Sequence, residues 1–303
     1  RVGDDAHQGE SLVAQPDRPA GRGRRLRPSP VAEVAEAEGL PVLKPKHPRG
    51  EEFQEELRLL RPDISVVVAY GHILRPEILE LPPHGSWNVH ASLLPELRGA
   101  APIHWAIARG YETTGITIMR MTEGMDTGPI LHQVEEAIDP SDTSTQLSLR
   151  LAELGARALI EGLAFLEYGD REPREQDHAR ATYAPKVSRQ VARIDWSRSA
   201  RELDNHVRAM DEVPGAWTLW EGEPLKLFSP STAGPEGAAD LEEDEAGVPG
   251  TVVRAEPDDG GSLAVLTGDG VVWFQEVQPA GKRRMPVAAW LRGRGAEAGQ
   301  RFE

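Results

Sequence analysis

The run ISVVVAY, residues 64–70, decides how the first half of this sequence is read. It is continuously apolar and rich in β-branched residues, which predicts a strand covered on both faces, as in a parallel sheet flanked by helices. Working outward, SWNVH (86–90) and GITIMRM (115–121) are further strand candidates, with a helix at 101–109 between them. Upstream, LPVL (40–43) reads as a short strand and GEEFQEELRLL (50–60) as an amphipathic helix. A preceding helix has readable ends: Ser29 suits its cap, Pro30 its first turn and Gly39 its exit. Strands alternating with helices predict an α/β fold with a mostly parallel sheet.

Beyond this half the pattern changes. SDTSTQLSLRLAELGARALIEGLAFLEYG (141–169) has helical periodicity, and a long helix there would close the first domain. REPREQDHARATYAPKVSRQ (171–190) is polar and irregular, as a linker would be. A short helix around 197–209 precedes WTLWEGEPLKLF, GTVVRAE and SLAVLTGDGVVWFQEVQPAG, short strands punctuated by turns that predict a small β-barrel. The expected organisation is therefore a domain over 1–170, a linker over 171–196 and a β-barrel domain over 197–303.

Composition narrows the function. The 303 residues include no cysteine, which excludes disulfides and thiolate metal sites and favours a reducing compartment. No apolar run is long enough to cross a bilayer, and no signal pattern opens the chain, so a soluble cytoplasmic protein is expected. The formal net charge of −15 argues against a general nucleic-acid coat. Charge is unevenly placed, however. DRPAGRGRRLRPSP (17–30) carries Arg18, Arg22, Arg24, Arg25 and Arg27, against an acidic, loop-like PEGAADLEEDEAG (235–247). A local anionic contact is expected at the basic loop.

The chemistry concentrates where SWNVH runs into ASLLP. Asn88, His90 and Ser92 fall on alternate residues, so Asn88 and His90 project from one strand face near the strand's end, where open α/β sheets bind ligands. An amide donor beside an imidazole can stabilise an oxyanion and manage a proton, the two needs of acyl transfer. TEGMDTGPIL (122–131) supplies Asp126 between glycines that permit close backbone approach. Taken singly these signals are weak: a histidine at a strand end is more often structural, and an aspartate in a glycine turn is more often a turn former. His84, His90 and His104 match no metal-binding spacing.

In combination they are specific. NVHASLLPELRGAAPI (88–103) followed by TGITIMRMTEGMDTGPIL (114–131) closely resembles the 10-formyltetrahydrofolate-dependent formyltransferase family. QPDRPAGRGRRLRPSPV (15–31) resembles the insertion of the branch that acts on methionyl-tRNA, and VVVAYGHIL, TYAPK, IDW and VQPAG are similar to that branch too. The resemblance implies a Rossmann-like formyltransferase domain followed by an OB-like barrel. It implies 10-formyltetrahydrofolate as formyl-donating cosubstrate without a metal, initiator Met-tRNA as acceptor, a monomer, and a role in translation initiation. Asn88, His90 and Asp126 match the family's catalytic residues. Ser92, Leu93, Leu94 and Pro95 match its folate-binding loop, while His72, Ile73 and Leu74 match a segment lining the pterin pocket. Arg22, Arg24, Arg25 and Arg27 are the implied tRNA contacts in the basic loop. Lys282, Arg283 and Arg284, with Arg292 and Arg294, are those of the barrel.

Two features depart from the family. Nothing in RVGDDAHQGESLVAQ (1–15) matches the family's first strand and its Gly-Thr-Pro-Phe-Ala-like turn, so unpaired neighbouring edges and lowered stability and activity are expected. Glu96 stands where the family more often has a cation, so that Arg98 would compensate it or the loop would face solvent. Two rivals remain: a folate enzyme acting on a small amine or hydrolysing formyl-folate, and a non-catalytic RNA-binding module.

Overall fold

The structure, a computed structural model, describes residues 10–20, 25–234, 247–257 and 261–303. Arg22, Arg24 and most of the acidic segment lie outside the described residues. Along the chain, β1 (Leu12–Val13), β2 (Arg18–Ala20), β3 (Arg25–Arg27), α1 (Pro30–Ala37), β4 (Val42–Leu43), α2 (Glu51–Leu60), β5 (Ser65–Val67), α3 (Pro76–Leu79) and β6 (Ser86–His90) come first. There follow α4 (Pro102–Ala108), β7 (Thr113–Arg120), β8 (Ile130–Ala137), α5 (Ser144–Tyr168) and α6 (Ala200–Ala209). The last part holds β9 (Trp217–Trp220), β10 (Glu223–Ser231), β11 (Val252–Glu256), β12 (Ser262–Leu266), β13 (Val271–Pro279), β14 (Met285–Pro286) and α7 (Val287–Arg294). Among the described residues no helix is long and apolar enough to cross a membrane.

The chain divides into two compact units: Arg1–His90 with Thr117–His132 and Gly162–Gln176, and Ala91–Ile116 with Gln133–Glu161 and Asp177–Glu303. In the first, α1 starts as its sequence dictates: Ser29 accepts from the Ala32 N–H, Pro30 occupies the first turn, and Ala32 and Ala35 face inward. β1 pairs in parallel with β4. A second sheet has the order β5-β6-β7-β8.

Three expectations need correction here. The sheet is mixed, because β5·β6 is parallel but β6·β7 is antiparallel. Residues 121–129, between β7 and β8, are too few for a crossover helix and leave those two strands adjacent. β5 spans three residues rather than seven, and Val66 and Val68 are 39 % and 59 % exposed rather than covered. β5 lies at the end of the strand order, so β6 is its one sheet neighbour among the described residues. Finally, the basic segment is a β-hairpin rather than a loop. Arg18 pairs with Arg27 and Ala20 with Arg25, which puts three arginines on one ribbon face and Leu26, 67 % exposed, on the other.

In the second unit α6 opens with a capping box, Ser199 and Glu202 exchanging side-chain to backbone hydrogen bonds, and it packs against α4. The six-stranded sheet has the order β11-β12-β13-β10-β9 with β14 on β13. Its inward residues, among them Leu225, Leu227, Leu263, Val265, Val272 and Val277, are buried. Aromatic rings fill one end: Trp196 stacks on Phe302 at 5.8 Å, and Trp220 meets Phe302 and Trp290 edge to face.

The closed barrel expected from the turns is not formed by the strands. No strand-to-strand ladder joins β11 to β9 among the described residues. Instead the C-terminal residues are hydrogen-bonded to both edges: Phe302 N–H to Gly250 O, Val252 N–H to Gln300 O, and Leu219 and Glu303 reciprocally at 3.1 Å.

Candidate active site

Within the first unit, β6 carries Asn88 and His90 out on one face, flanked by β5 and β7: Asn88 is registered with Val67 and Met119, and His90 with Thr117. Two neighbouring strands fix the backbone of Asn88 and one fixes that of His90, so their side chains start from a rigid base. His90 is buried, and its Nδ1 lies 3.8 Å from Oδ2 of Asp126. The side chains are 6 % and 18 % exposed, an ion-pair separation in a partly desolvated setting. The Asn88 side chain is half-buried and makes no hydrogen bond among the described residues, which leaves its amide donor available to a ligand.

The turn between β7 and β8 brings Asp126 to His90. Asp126 takes a left-handed backbone, φ 52°, which aspartate tolerates better than most residues. Gly128 approaches β7 so closely that a Cβ there would stand 1.9 Å from the Arg120 carbonyl oxygen. Only glycine fits. The Arg120 N–H in turn donates to Pro129 O, and Thr122 and Thr127 hydroxyls lie 3.2 Å apart across the turn.

One residue that sequence reasoning missed holds this turn in place. The buried side-chain amide of Gln176 donates to the carbonyl oxygens of Asp126 at 2.9 Å and of Gly128 at 2.7 Å. Its strand-like approach is set by Arg174, whose N–H and C=O pair with those of Ile130. The stretch expected to be an irregular linker is therefore built into the first unit up to Gln176.

His72, Ile73 and Leu74 also belong to the first unit. Ile73 is 86 % exposed, so it is not a core residue, and the His72 ring lies 5.3 Å from that of Tyr70. Burial raises the Tyr70 hydroxyl above its ordinary pKa.

Ser92, Leu93, Leu94 and Pro95 belong to the second unit. There the buried Ser92 hydroxyl donates to Glu96 O at 2.6 Å, which makes it a loop builder rather than a nucleophile. Gln133 donates to Leu94 O at 3.0 Å, and the Leu97 N–H finds the Thr182 hydroxyl at 2.9 Å. TYAPK lies alongside this loop: Arg98 N–H donates to Thr182 O, Ala184 N–H to Arg98 O, and Ala101 N–H to Ala184 O. The Glu96 charge is met by Arg180 at 3.7 Å rather than by Arg98, which is buried with a guanidinium nitrogen 2.9 Å from His178 Nδ1.

Of the expected anion-binding residues, Arg25 and Arg27 are exposed on β3, and Lys282 and Arg283 are exposed beyond β13. Arg284 is engaged internally, with Asp211 at 2.9 Å, Glu276 at 2.5 Å and the Phe228 ring beneath it. It lines an open groove of about 1320 Å³ in the second unit, beside Asp211, Arg208 and Asp204. Among the described residues no group of three or more His, Asp or Glu is placed to hold a metal ion.

The family described as Formyl transferase matches residues 3–163, and its C-terminal domain matches residues 186–295. The chain is 43 % identical to the methionyl-tRNA formyltransferase of Magnetococcus marinus, over 96 % of this chain and 89 % of that protein. It is 46 % identical to that of Desulfotalea psychrophila, over 93 % and 84 %. Among solved structures, HypX from Aquifex aeolicus in complex with tetrahydrofolic acid shares the fold, with a TM-score of 0.61 at 21 % identity, covering 92 % of this chain and 46 % of that one.

Proposed function

This chain belongs to the formyl transferase family, among its methionyl-tRNA formyltransferases, and from that premise we propose that it transfers the formyl group of 10-formyltetrahydrofolate to the α-amino group of methionyl initiator tRNA. The product serves translation initiation. The observation that carries the reading is the meeting of His90 and Asp126 at 3.8 Å, on the strand whose Asn88 amide is unengaged.

The folate cosubstrate supplies the formyl carbon on its N10. Asn88 donates an amide hydrogen to the formyl oxygen as negative charge develops there, and a protonated His90 donates to the same oxygen. Asp126 holds His90 in position and accepts the proton released as the amine nitrogen bonds to the formyl carbon. That proton ends on N10 when the bond from N10 to the formyl carbon breaks. The donor set fits these tasks: one neutral N–H donor, one imidazole and one carboxylate, all on a rigid strand or a tightly held turn.

In this reading Ser92, Leu93, Leu94 and Pro95, with His72, Ile73 and Leu74, hold the folate. Arg25 and Arg27, with Arg22 and Arg24, meet the acceptor end of the tRNA, and Lys282, Arg283 and Arg284 belong to a second, RNA-binding domain. Support comes from the exposed three-arginine face of the β2·β3 hairpin, which suits a polyanion. An OB-like curl of the second sheet fits the C-terminal residues bonded to both its edges. The enzyme acts as a cytoplasmic monomer of two domains.

A transfer assay tests the proposal. With 10-formyltetrahydrofolate as donor, formylation of initiator Met-tRNA is expected and formylation of free small amines is not. The reverse outcome would assign the chain to small-amine chemistry.

A further inference from the structure

The loop of residues 92–98 carries two charges of opposite sign, and a single turn of the chain answers both. Glu96 lies 3.7 Å from Arg180, and the Arg98 guanidinium donates to Nδ1 of His178 at 2.9 Å. Arg98 is 3 % exposed, whereas His178 and Arg180 are exposed. A guanidinium has no acceptor and keeps its protons, so Nδ1 is the acceptor and the ring proton lies on Nε2. His178 and Arg180 begin and end one short 3-10 turn, started by the Asp177 carboxylate, which accepts from the Ala179 N–H at 3.1 Å. All of these residues belong to the second unit.

The loop needs holding because its backbone is strained. Leu97, between the two charges, has φ 59°, a left-handed conformation that a bulky residue rarely adopts. Such a conformation persists only where the surroundings impose it. Here the Leu97 side chain is buried with Ala106 and Ala184, and the next residue but one, Gly99, approaches so closely that a Cβ would stand 2.7 Å from Ala184 O. The strain reaches the start of the loop, since the Ser92 hydroxyl donates to Glu96 O. The placement of Ser92 to Pro95 therefore follows that of Glu96 to Arg98.

We propose that His178 is a positioning residue for the formyl donor: by accepting from Arg98 it fixes the loop whose first residues hold the folate. The inference deepens the reading of Ser92, Leu93, Leu94 and Pro95 as folate-holding, and rests on it. Of the two contacts made by the turn, this one dominates. The bond from Arg98 is charge-assisted and starts from a buried group, whereas an exposed pair such as Glu96 with Arg180 contributes little.

Steady-state formylation of initiator Met-tRNA at varied 10-formyltetrahydrofolate tests the proposal. His178→Ala removes the acceptor, and its KM for the folate is expected to rise about five- to tenfold, the scale of a weakened hydrogen bond to a charged group. Its kcat should stay within about twofold, because the interaction serves binding rather than the chemical step. His178→Asn places an acceptor oxygen near the position of Nδ1 and should keep the wild-type KM. Arg180→Gln should raise KM less than His178→Ala does. Thermal melting, expected to match wild type for variants of an exposed residue, separates positioning from folding. An unchanged KM in His178→Ala, a fall in kcat or Tm alone, or an asparagine variant as impaired as the alanine one would overturn the role of His178 while leaving the activity standing. A wild type that does not formylate Met-tRNA from this donor would overturn the reading beneath it.

Discussion

The side-chain amide of Gln176 donates to the carbonyl oxygen of Asp126 at 2.9 Å, from a position 50 residues further along the chain. With its second bond, to Gly128 O, this residue fixes the turn that carries the carboxylate. Gln176 is a positioning residue. Its replacement leaves two carbonyls without their donor in a buried setting, at a cost of about 1–3 kcal/mol for each group.

Gln176→Leu is therefore expected to lower kcat for Met-tRNA formylation about 10- to 100-fold, the scale associated with misplacing a catalytic group by an ångström. KM for the tRNA should change little, since no RNA contact is removed. Steady-state kinetics on the two proteins checks this, and a variant that loses only thermal stability would reduce Gln176 to a packing residue.

The second unit carries an acid-sensitive residue. Burial holds the His206 imidazole down at about 4, against an ordinary value of 6.5, opposed by its hydrogen bond with the Ala192 backbone. Its Nε2 is buried without a hydrogen-bond partner. Between about 6.5 and 4 the unfolded chain binds a proton here that the folded chain does not, so stability falls as pH falls through that window and is level above it. The loss amounts to something on the order of 3 kcal/mol. His206→Gln should flatten the dependence of Tm on pH between about 4 and 6.5, measured by thermal melting across that range.

The ring of Phe302, 1 % exposed, lies against Trp196 and Trp220 and anchors the C-terminal residues that bond to both sheet edges. Phe302→Ala should cost about 3–5 kcal/mol. Urea unfolding followed by tryptophan fluorescence measures the loss directly, since two of the chain's seven indoles lie against the ring.

Much of this was legible in the sequence, and the failures have physical reasons. Ser29-Pro30 marked the start of α1 because capping is local chemistry, and the pairing of Asn88 with His90 followed from strand alternation. Asp126 was weaker, because nothing local separates a catalytic aspartate from a turn former; the resemblance implied the catalytic role, and the structure puts the carboxylate 3.8 Å from His90. ISVVVAY misled because a β-branched run looks the same on an edge as in a covered strand, and exposure depends on neighbours far away in sequence. Gly and Pro made the arginine segment read as a loop, yet Arg18 and Arg27 are ladder partners. Gln176 gave no signal, since its partners are backbone carbonyls 48–50 residues distant that any sequence presents. Phe302, in a short stretch without hydrophobic periodicity, was equally silent.

The central claim is that Asn88, His90 and Asp126 form one chemical unit, and single-turnover formyl transfer tests it most directly. Wild type and Asp126→Ala, each at saturating 10-formyltetrahydrofolate with initiator Met-tRNA, are compared for the rate of N-formylmethionyl-tRNA formation. The account predicts a fall of at least about 100-fold for the variant, the contribution of a positioned acid–base group, with tRNA binding retained. A rate within about twofold of wild type would contradict it, because a carboxylate that holds the imidazole and takes the amine's proton cannot be dispensable.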